Sequence, residues 1–387
     1  MTRTVMHFAQ DSDTSGFFPQ LAVWHDRQRF RMLFGTLGPL DPRLRAHMER
    51  QGVPCLDCAS PTRGAYTLGL LRLAAFLRRH RVDVLHTHLF DPSAVGLTAG
   101  LLAGTPARVM TRHYSDYHTR INRPIHVGVD RFCTRLAHRV IAVSQHTADH
   151  MMTVERAPPG KVRVVHNGID FERVRVSSPD APGRVRAELD IVDKKVVVMA
   201  ARMHPEKGYE PLLEALPSVR RRIPDVVVLV AGTGPFESRY RALSNLLGLE
   251  GAVRFLGFRR DLPDVIAAAD LVVLPSLAEA FGLVLVEALY LGVPVVASRV
   301  GGIPEIVENE VDGLLVSPGD RDALAGALVR VLEDSVLRDR LAGAGRGRVA
   351  RRFAFDHMVR EYERVYDELD RPRERGARTA NTANPEE

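Results

Sequence analysis

Short apolar runs alternate with longer amphipathic stretches along most of the chain. This alternation of strand-like and helix-like segments is typical of an α/β protein built on parallel sheets. Unbroken runs of Val, Ile and Leu bounded by turn formers predict buried strands. Strands are predicted at residues 4–8, 31–37, 82–88, 107–111, 139–144, 162–166, 195–200, 226–231, 253–256, 271–274, 294–297 and 313–316.

The amphipathic stretches between these runs predict helices. Leucines recur at positions 68, 71, 73 and 77, and Pro42 suits the first turn of a helix. The main helices are predicted at residues 18–27, 41–51, 67–80, 92–103, 209–219, 282–291, 320–334, 335–350 and 353–369.

The segment Ser177–Gly183 contains mainly turn formers, which predicts a linker between two domains. A chain of 387 residues has room for two domains of ordinary size. We therefore predict one domain at 1–183, a second at 184–352 and a last helix at 353–370. Residues 371–387 are charged and small, so this tail is predicted to be disordered.

Composition limits the class of protein. The chain is 45% hydrophobic and 26% charged, which is typical of a soluble globular protein. It contains no apolar run long enough to cross a bilayer, and its start has no signal-peptide pattern. Three cysteines, Cys55, Cys58 and Cys133, give no disulfide framework. Together these features predict a cytoplasmic protein.

Charge is distributed unevenly. Residues 1–185 carry 25 basic and 15 acidic side chains, whereas the remainder carries 28 and 32. A basic first half would attract an anionic acceptor or a peripheral anionic membrane surface. An arginine-rich composition is the alternative, because only four of the 53 basic residues are lysines. Nucleic-acid binding is not predicted, since the arginines form no dense run with interleaved aromatics.

The segment Glu279–Glu287 (Glu-Ala-Phe-Gly-Leu-Val-Leu-Val-Glu) follows the predicted strand 271–274. Glu279 falls in a strand-to-helix loop at the carboxyl end of that strand, where open α/β sheets bind ligands. Glu287 falls inside the following helix.

The start of that helix offers free backbone N–H groups at Phe281, Gly282 and Leu283, which suit a phosphate. The two carboxylates suit hydroxyl groups, which donate hydrogen bonds to them. A nucleotide sugar carries both phosphates and hydroxyls. An ordinary amphipathic helix with two solvated glutamates is the alternative.

Two glutamates separated by seven residues around Ala-Phe-Gly-Leu resemble the signature of the retaining glycosyltransferases of family 4. The resemblance implies an α/β fold of two facing, doubly wound, Rossmann-like domains, the GT-B architecture. It also implies that the first domain lies on the acceptor side and that helix 353–370 crosses back onto it. In this family the second glutamate, here Glu287, holds the ribose hydroxyls, and the first, here Glu279, lies by the transferred sugar.

The segment Arg202–Gly208 follows the predicted strand 195–200 and resembles the arginine–lysine clamp of the same family. Arg202 and Lys207 would stabilise the diphosphate as it gains charge in the transition state. Two surface cations are the alternative. No Asp-x-Asp pair stands where it would hold a metal-bound diphosphate, so neither a metal nor a cofactor is expected.

Weaker motifs extend the resemblance over roughly residues 80–320. Gly234 belongs to a glycine turn that permits phosphate approach, although a tight turn explains it equally. Phe258 leads into the loop that reads the nucleobase in the family. The segments Arg139–Ser144, His166–Asp170 and Gly301–Glu305 also match the family pattern.

Histidines concentrate in the first domain, which holds 13 of the 15. His113 follows the predicted strand 107–111, where the family places a histidine facing the donor sugar. His86 and His88 are expected to point to opposite faces of a strand, which argues against a two-histidine metal site. Cys55 and Cys58 have zinc-like spacing but no second pair.

One departure concerns the loop after the first strand. Family members carry a Gly-Gly pair there, whereas this chain has Thr14, Ser15 and Gly16. The acceptor is therefore not identified by the sequence.

The resemblance implies retaining transfer of a sugar from a nucleotide-diphosphate sugar to a glycan, glycolipid or small metabolite. Retention without an evident nucleophile implies a same-face displacement in which the leaving phosphate takes the acceptor's proton. A sugar-nucleotide epimerase, a phosphorylase and a non-catalytic binding protein remain as alternatives.

Overall fold

Two parallel sheets, one in each half of the chain, form the framework of the protein. The computed structural model describes residues 2–10, 16–60, 62–114 and 124–370. The predicted tail 371–387, together with Thr14 and Ser15, lies outside these residues.

The first sheet has seven strands in the order β3-β2-β1-β4-β5-β6-β7. Its strands are β1 (Arg3–Ala9), β2 (Phe30–Thr36), β3 (Cys55–Asp57), β4 (Val84–His88), β5 (Ala107–Arg112), β6 (Arg139–Ala142) and β7 (Val162–Val164). Strand β1 pairs in parallel with both β2 and β4, so the winding direction reverses between β1 and β4. Ligands bind at such a switch point in doubly wound sheets.

The second sheet has six strands in the order β10-β9-β8-β11-β12-β13. Its strands are β8 (Lys195–Ala200), β9 (Val226–Ala231), β10 (Val253–Gly257), β11 (Leu271–Leu274), β12 (Val295–Ser298) and β13 (Gly313–Val316). Here the switch point lies between β8 and β11, which pair in parallel. The loops after β8 and β11 carry the two strongest motifs, and this pairing brings them side by side.

Helices cover the sheets. They are Phe17–Trp24, Pro42–Arg50, Tyr66–Arg79, Phe90–Ala103, Pro124–Leu136, Gln145–Thr153, Ala181–Glu188, Tyr209–Arg222, Glu237–Leu246, Leu262–Ala267, Leu283–Tyr290, Ile303–Ile306, Arg321–Glu333, Ser335–Arg352 and Phe355–Asp370. Side-chain caps mark several starts: Asp41 accepts from the amides of Arg43 and Leu44. Such caps satisfy amides that have no partner within the helix. No helix among the described residues is both long and apolar enough to span a bilayer.

Burial follows the period of the strands. Val196 and Val198 of β8 belong to one apolar cluster, and Val197 and Met199 belong to the cluster on the opposite face. Each face is therefore closed by its own layer of helices, as expected for a doubly wound sheet. The predicted α/β fold class is confirmed.

The last helix, Phe355–Asp370, packs on the first sheet rather than the second. Its apolar side chains recur at helical spacing and share a cluster with Val5 and Phe30; they are Phe355, Met358, Val359, Tyr362, Val365 and Tyr366. Ile169 and Ala354 form a parallel bridge where the chain crosses back.

Several elements of the structure were not predicted from the sequence. They are β3 and the helices Pro124–Leu136, Gln145–Thr153, Leu262–Ala267 and Ile303–Ile306. The predicted linker is also more ordered than expected. A helix begins inside it at Ala181, and Ser177 donates from its amide and its hydroxyl to Asp264, each at 2.7 Å. The domain limits at 183 and 352 remain predictions.

Candidate active site

A cavity of roughly 910 Å³ opens between the carboxyl ends of the two sheets. The first half of the chain contributes residues that follow β1, β4 and β5, and the second half contributes residues that follow β8 and β11. Its lining includes Gln10, Leu89, Phe90, Asp91, His113, Tyr114, Arg202, Glu206, Lys207, Glu279, Gly282 and Leu283. The cavity therefore sits at the switch points of both sheets.

Lys207 and Glu279 form an ion pair in this cavity. Lys207 Nζ lies 2.8 Å from Oε2 of Glu279, and Ser276 Oγ lies 3.2 Å from the same oxygen. The two side chains are only 21% and 11% exposed, so the pair is well sheltered from water. Shelter strengthens the attraction and also makes loss of either partner costly.

Gly208 allows the loop after β8 to reach the loop after β11. Its φ is +77°, and a Cβ there would lie 1.9 Å from the carbonyl oxygen of Pro275. Any side chain would therefore push the two loops apart. Separation would break the contact between Lys207 and Glu279.

Arg202 lines the same cavity but is held loosely. Its side chain is 69% exposed, and its nearest acidic partner is Glu206 at 3.7 Å. A pair of this kind contributes little to stability. Arg202 is therefore able to turn toward an anion in the cavity.

The helix Leu283–Tyr290 begins at the floor of the cavity. Gly282 precedes it with φ +106°, a conformation that suits glycine. The amides of Phe281, Gly282 and Leu283 make no hydrogen bond to another described residue. The Phe281 ring itself is buried, 5.7 Å from the ring of His166 and 5.4 Å from that of Phe353. Phe281 thus anchors the loop and leaves its backbone for a ligand.

The segment Gly301–Glu305 supports the loop of Glu279 from behind. The Gly302 amide donates to the carbonyl of Glu279 at 3.2 Å, and a Cβ at Gly301 would lie 1.6 Å from that oxygen. Glu305 reaches the other half of the chain, where it accepts from the amides of Gln145 and His146 and lies 2.7 Å from His166 Nε2. Although it is partly buried, these hydrogen bonds lower the pKa of Glu305. This glutamate links the two halves beside the cleft.

Glu287 lies on the second turn of the helix Leu283–Tyr290 and is partly buried. It does not appear among the described residues that line the cavity. Burial raises the pKa of Glu287 to about 7. A carboxylate in this setting is costly until hydrogen-bond donors reach it.

His113 faces the cavity from the first half of the chain, where it follows β5. Its Nε2 lies 3.1 Å from Nδ1 of His88. Burial lowers the pKa of His113 to about 4, so the ring is neutral at physiological pH. A neutral imidazole offers one donor and one acceptor.

His86 and His88 point to the same face of β4, so the expectation of opposite faces is wrong. Side chains two residues apart on a strand share a face, and alternation applies to adjacent residues. The two rings stack with centroids 4.3 Å apart. His7 of β1 joins them, and one ring nitrogen from each of the three lies within 4.8 Å of the other two. The directions of these side chains are therefore compatible with three histidines around one metal ion.

Gly234 and Phe258 lie outside the described lining of the main cavity. A Cβ at Gly234 would lie 2.4 Å from the carbonyl oxygen of Met203, so this glycine packs against the loop that carries Arg202. Phe258 is 68% exposed and borders a second cavity of roughly 730 Å³, together with Gly16, Trp24 and Arg260.

Several residues that line the cavity were not predicted from the sequence: Leu89, Phe90, Asp91, Tyr114 and Glu206. Leu89 has φ +69° and ψ 179°, which is unusual for any residue other than glycine because its Cβ is crowded there. The available sequence signal for a lining residue was its position directly after the strand that ends in His86-Thr87-His88.

Two facing doubly wound domains, with charged side chains and a helix N-terminus at both switch points, define a GT-B glycosyltransferase. The family model described as "Glycosyl transferases group 1" matches residues 184–348. The model described as "Glycosyltransferase Family 4" matches residues 36–173. The chain belongs to the group 1 glycosyltransferases of family 4, and the expected family and architecture are confirmed.

Relatives and solved structures agree with this assignment. The chain is 36% identical over 315 residues to the D-inositol 3-phosphate glycosyltransferase of Saccharomonospora viridis, which covers 76% of this chain and 69% of that protein. It is 29% identical to the Escherichia coli UDP-Gal:alpha-D-GlcNAc-diphosphoundecaprenol alpha-1,3-galactosyltransferase, covering 78% and 79% of the two chains. The structure matches that of Anabaena HepE in complex with UDP and glucose with a TM-score of 0.82, at 25% identity over 95% of this chain and 100% of that chain.

Proposed function

We propose that the protein transfers a sugar from a nucleoside diphosphate sugar to an acceptor with retention at the anomeric carbon and without a metal ion. The observation that carries this proposal is the sheltered Lys207–Glu279 pair beside the unpartnered amides of 281–283. One cation, one carboxylate and a helix N-terminus match the diphosphate and the sugar hydroxyls of such a donor.

The diphosphate would lie between Lys207, Arg202 and the amides of 281–283. Lys207 reaches a phosphate oxygen while it still contacts Glu279, because an ammonium group has three donors. Arg202 turns in from its exposed position. Because the leaving diphosphate gains charge as the glycosidic bond breaks, these contacts are stronger in the transition state than in the ground state.

The sugar would lie between Glu279 and His113. Glu279 accepts a hydrogen bond from a sugar hydroxyl, and neutral His113 contacts the sugar or the phosphate. In the reaction, the acceptor oxygen bonds to the anomeric carbon from the face that the diphosphate leaves. The bond from the anomeric carbon to the phosphate oxygen breaks, and the acceptor's proton passes to that oxygen.

The ribose would be held by Glu287, one turn beyond the phosphate site. Two ribose hydroxyls donating to this carboxylate would offset the cost of its burial. Backbone groups near Phe258 would contact the nucleobase, and Gly234 would shape the loop beside the phosphates.

Two of the similar proteins support a uridine nucleotide as donor. HepE of Anabaena was solved with UDP and with UDP-glucose, and the Escherichia coli relative is named for UDP-Gal. The basic first half, which carries Leu89, Phe90 and His113, supports an anionic acceptor, either free or in a lipid headgroup. We place the protein in the cytoplasm, with peripheral contact to an anionic membrane where the acceptor is lipid-linked.

The test is a screen of UDP-, GDP- and ADP-sugars for hydrolysis and for transfer to added acceptors in the presence of EDTA. We expect transfer with at least one donor, EDTA resistance and a product whose anomeric configuration, read by NMR, matches the donor. Turnover restored only by Mg²⁺ or Mn²⁺ would overturn the metal-free clamp, and an inverted product would overturn retention. Donor interconversion or phosphorolysis without transfer would favour the epimerase or phosphorylase alternative, and nucleotide binding without turnover would favour a binding protein.

A further inference from the structure

We propose that His88 and His7 are positioning residues that hold His113 in one tautomer through a buried chain of imidazoles. The chain begins at the last helix and ends at the cavity. This inference rests on the proposed function only for the catalytic role of His113. The chain itself is a property of the folded protein and is tested separately below.

The chain consists of two consecutive hydrogen bonds. His7 Nδ1 lies 3.0 Å from His88 Nε2, and His88 Nδ1 lies 3.1 Å from His113 Nε2. Both nitrogens of His88 are therefore used. His7 and His88 are 4% and 1% exposed, so water does not compete for these bonds.

Each ring in the chain carries a single N–H. Burial lowers the pKa of His7 to about 3 and that of His88 well below its ordinary value, so both rings are neutral. Between two neutral imidazoles, one nitrogen donates and the other accepts. If His7 donates to His88, then His88 must donate to His113, which leaves the His113 proton on Nδ1. If instead His113 donates to His88 and His88 donates to His7, the His113 proton is on Nε2. The direction of the hydrogen bond at His7 therefore fixes the tautomer of His113.

The inner end of the chain meets the last helix. His7 Nε2 lies 3.5 Å from the hydroxyl of Tyr366. That hydroxyl lies 2.7 Å from His86 Nδ1, and His86 Nε2 lies 2.7 Å from Thr111 Oγ1. His86 thus has two short bonds of its own and makes no direct bond to His88 or His113 among the described contacts.

A metal ion is the competing explanation for three histidines in one place. Ligand lone pairs lie in the ring planes, and the planes of His86 and His88 are stacked with only 29° between them. Nearly parallel planes do not converge on one ion between the rings. The nitrogens are also already paired with one another, with Tyr366 and with Thr111. The geometry therefore favours a hydrogen-bonded chain.

The matched pair of variants is His88→Gln and His86→Gln. The two histidines share a strand, a face and complete burial, but only His88 contacts His113. We expect His88→Gln to lower kcat for transfer by about tenfold to a hundredfold, with the donor KM within about twofold of wild type. His86→Gln should lower kcat by less than His7→Gln does, because His86 reaches the chain through the hydroxyl of Tyr366. His7→Gln, which leaves the His88–His113 contact in place, should give an intermediate loss.

A spectroscopic readout does not depend on activity. Two-bond ¹H–¹⁵N correlations of histidine-labelled protein, assigned with His113→Gln, should show His113 as one neutral tautomer in the wild type. The same signals should shift to a mixture of tautomers in His88→Gln and His7→Gln. If this tautomer shift occurs although no donor is turned over, the hydrogen-bonded chain of histidines is confirmed and only the proposed function is wrong.

Three results would overturn the chain. One is an equal loss of kcat in His86→Gln and His88→Gln, which would show a packing effect. Another is an unchanged His113 tautomer in both His7→Gln and His88→Gln. The third is about one equivalent of tightly bound transition metal in purified wild-type protein that is lost in His7→Gln, which would assign the histidines to an ion. His7→Gln keeps the test decisive if His88→Gln does not fold.

Discussion

Lys207 Nζ lies 2.8 Å from Glu279 Oε2, although 72 residues separate them. The two residues meet because β8 and β11 are neighbours at the switch point of the second sheet. The pair has two consequences. It holds Lys207 ready for an anion, and it fixes the position of the Glu279 side chain in a sheltered part of the cavity.

The first prediction concerns the two cations. Lys207→Ala and Arg202→Ala should each lower kcat/KM by at least about tenfold, because each removes a charge-assisted contact of about 2–4 kcal/mol in the transition state. Steady-state kinetics with the donor found in the screen measure this loss. Lys194→Ala is the matched control, since Lys194 is exposed and lies before β8, away from the cavity.

A further contrast is expected between these two variants. Among the described residues, Lys207→Ala leaves the Glu279 carboxylate with Ser276 as its remaining partner, so this variant should also lose thermal stability. Arg202→Ala removes an exposed side chain, so its thermal stability should stay close to that of the wild type. Normal turnover in either variant would make that residue a surface cation.

The second prediction separates the two glutamates. Glu287→Gln should mainly raise the donor KM and weaken the binding of free nucleotide, because ribose contacts are the same in ground and transition states. Glu279→Gln should lower kcat more than KM and leave nucleotide affinity nearly unchanged, because charge develops at the sugar. Calorimetry of nucleotide binding to both variants measures the contrast. The opposite pattern would exchange the two roles.

Much of this site could be predicted because its residues are local in sequence. The strand before Glu279, the glycine that starts the next helix and the clamp after β8 each have a short-range signal, and β8 and β11 were predicted with the bounds that the structure has. The helix Gln145–Thr153 was missed because it carries few apolar residues, although Ser144, whose side chain accepts from the amide of Thr147, was the available cap signal.

The histidine chain could not be predicted in the same way. His7 and His88 meet only because β1 and β4 pair in parallel, and that pairing depends on the topology of the whole sheet. The place of Phe258 in a second cavity beside Gly16 and Trp24 likewise depends on how the two halves of the chain meet. Short motifs contain no information on either point.

The third prediction concerns Leu89, whose φ of +69° and ψ of 179° lie in a region normally reserved for glycine. Such a conformation costs about 1–3 kcal/mol. Leu89→Gly should therefore raise the free energy of unfolding by about 1 kcal/mol, since its half-exposed side chain loses little burial. Chemical denaturation measures this gain.

The same substitution removes an apolar side chain from the acceptor side of the cavity, so the acceptor KM should rise while the donor KM stays constant. Leu89→Ala is the control, because it removes the side chain but keeps the backbone strain. It should therefore change the acceptor KM without the gain in stability. Equal stability of the Gly and Ala variants would show that the loop is not strained.

The fourth prediction concerns how Glu287 makes the free energy of unfolding of the protein depend on pH. Burial raises its pKa to about 7, so the folded protein holds this proton more tightly than the unfolded chain does. The stabilising contribution of this proton is complete below about pH 4.5 and is lost as pH rises through about 7. Glu287→Gln resembles the protonated form. It should match the wild type below about pH 4.5 and exceed it above pH 7 by up to about 3 kcal/mol.

The fifth prediction is that donor binding displaces the proton of Glu287. Ribose hydroxyls donate to a carboxylate, so they favour the charged form and lower its pKa in the complex. Below about pH 7, binding should therefore release a proton, and affinity for a nucleotide sugar should rise with pH and level off above about 7. Calorimetry in buffers of different ionisation enthalpy counts the protons, and a nucleotide sugar is preferred to free UDP because its diphosphate has no titration in this range. Glu287→Gln should bind more weakly and release no proton. If proton release persists in this variant, another group titrates, and the proposed contact between Glu287 and the ribose is wrong.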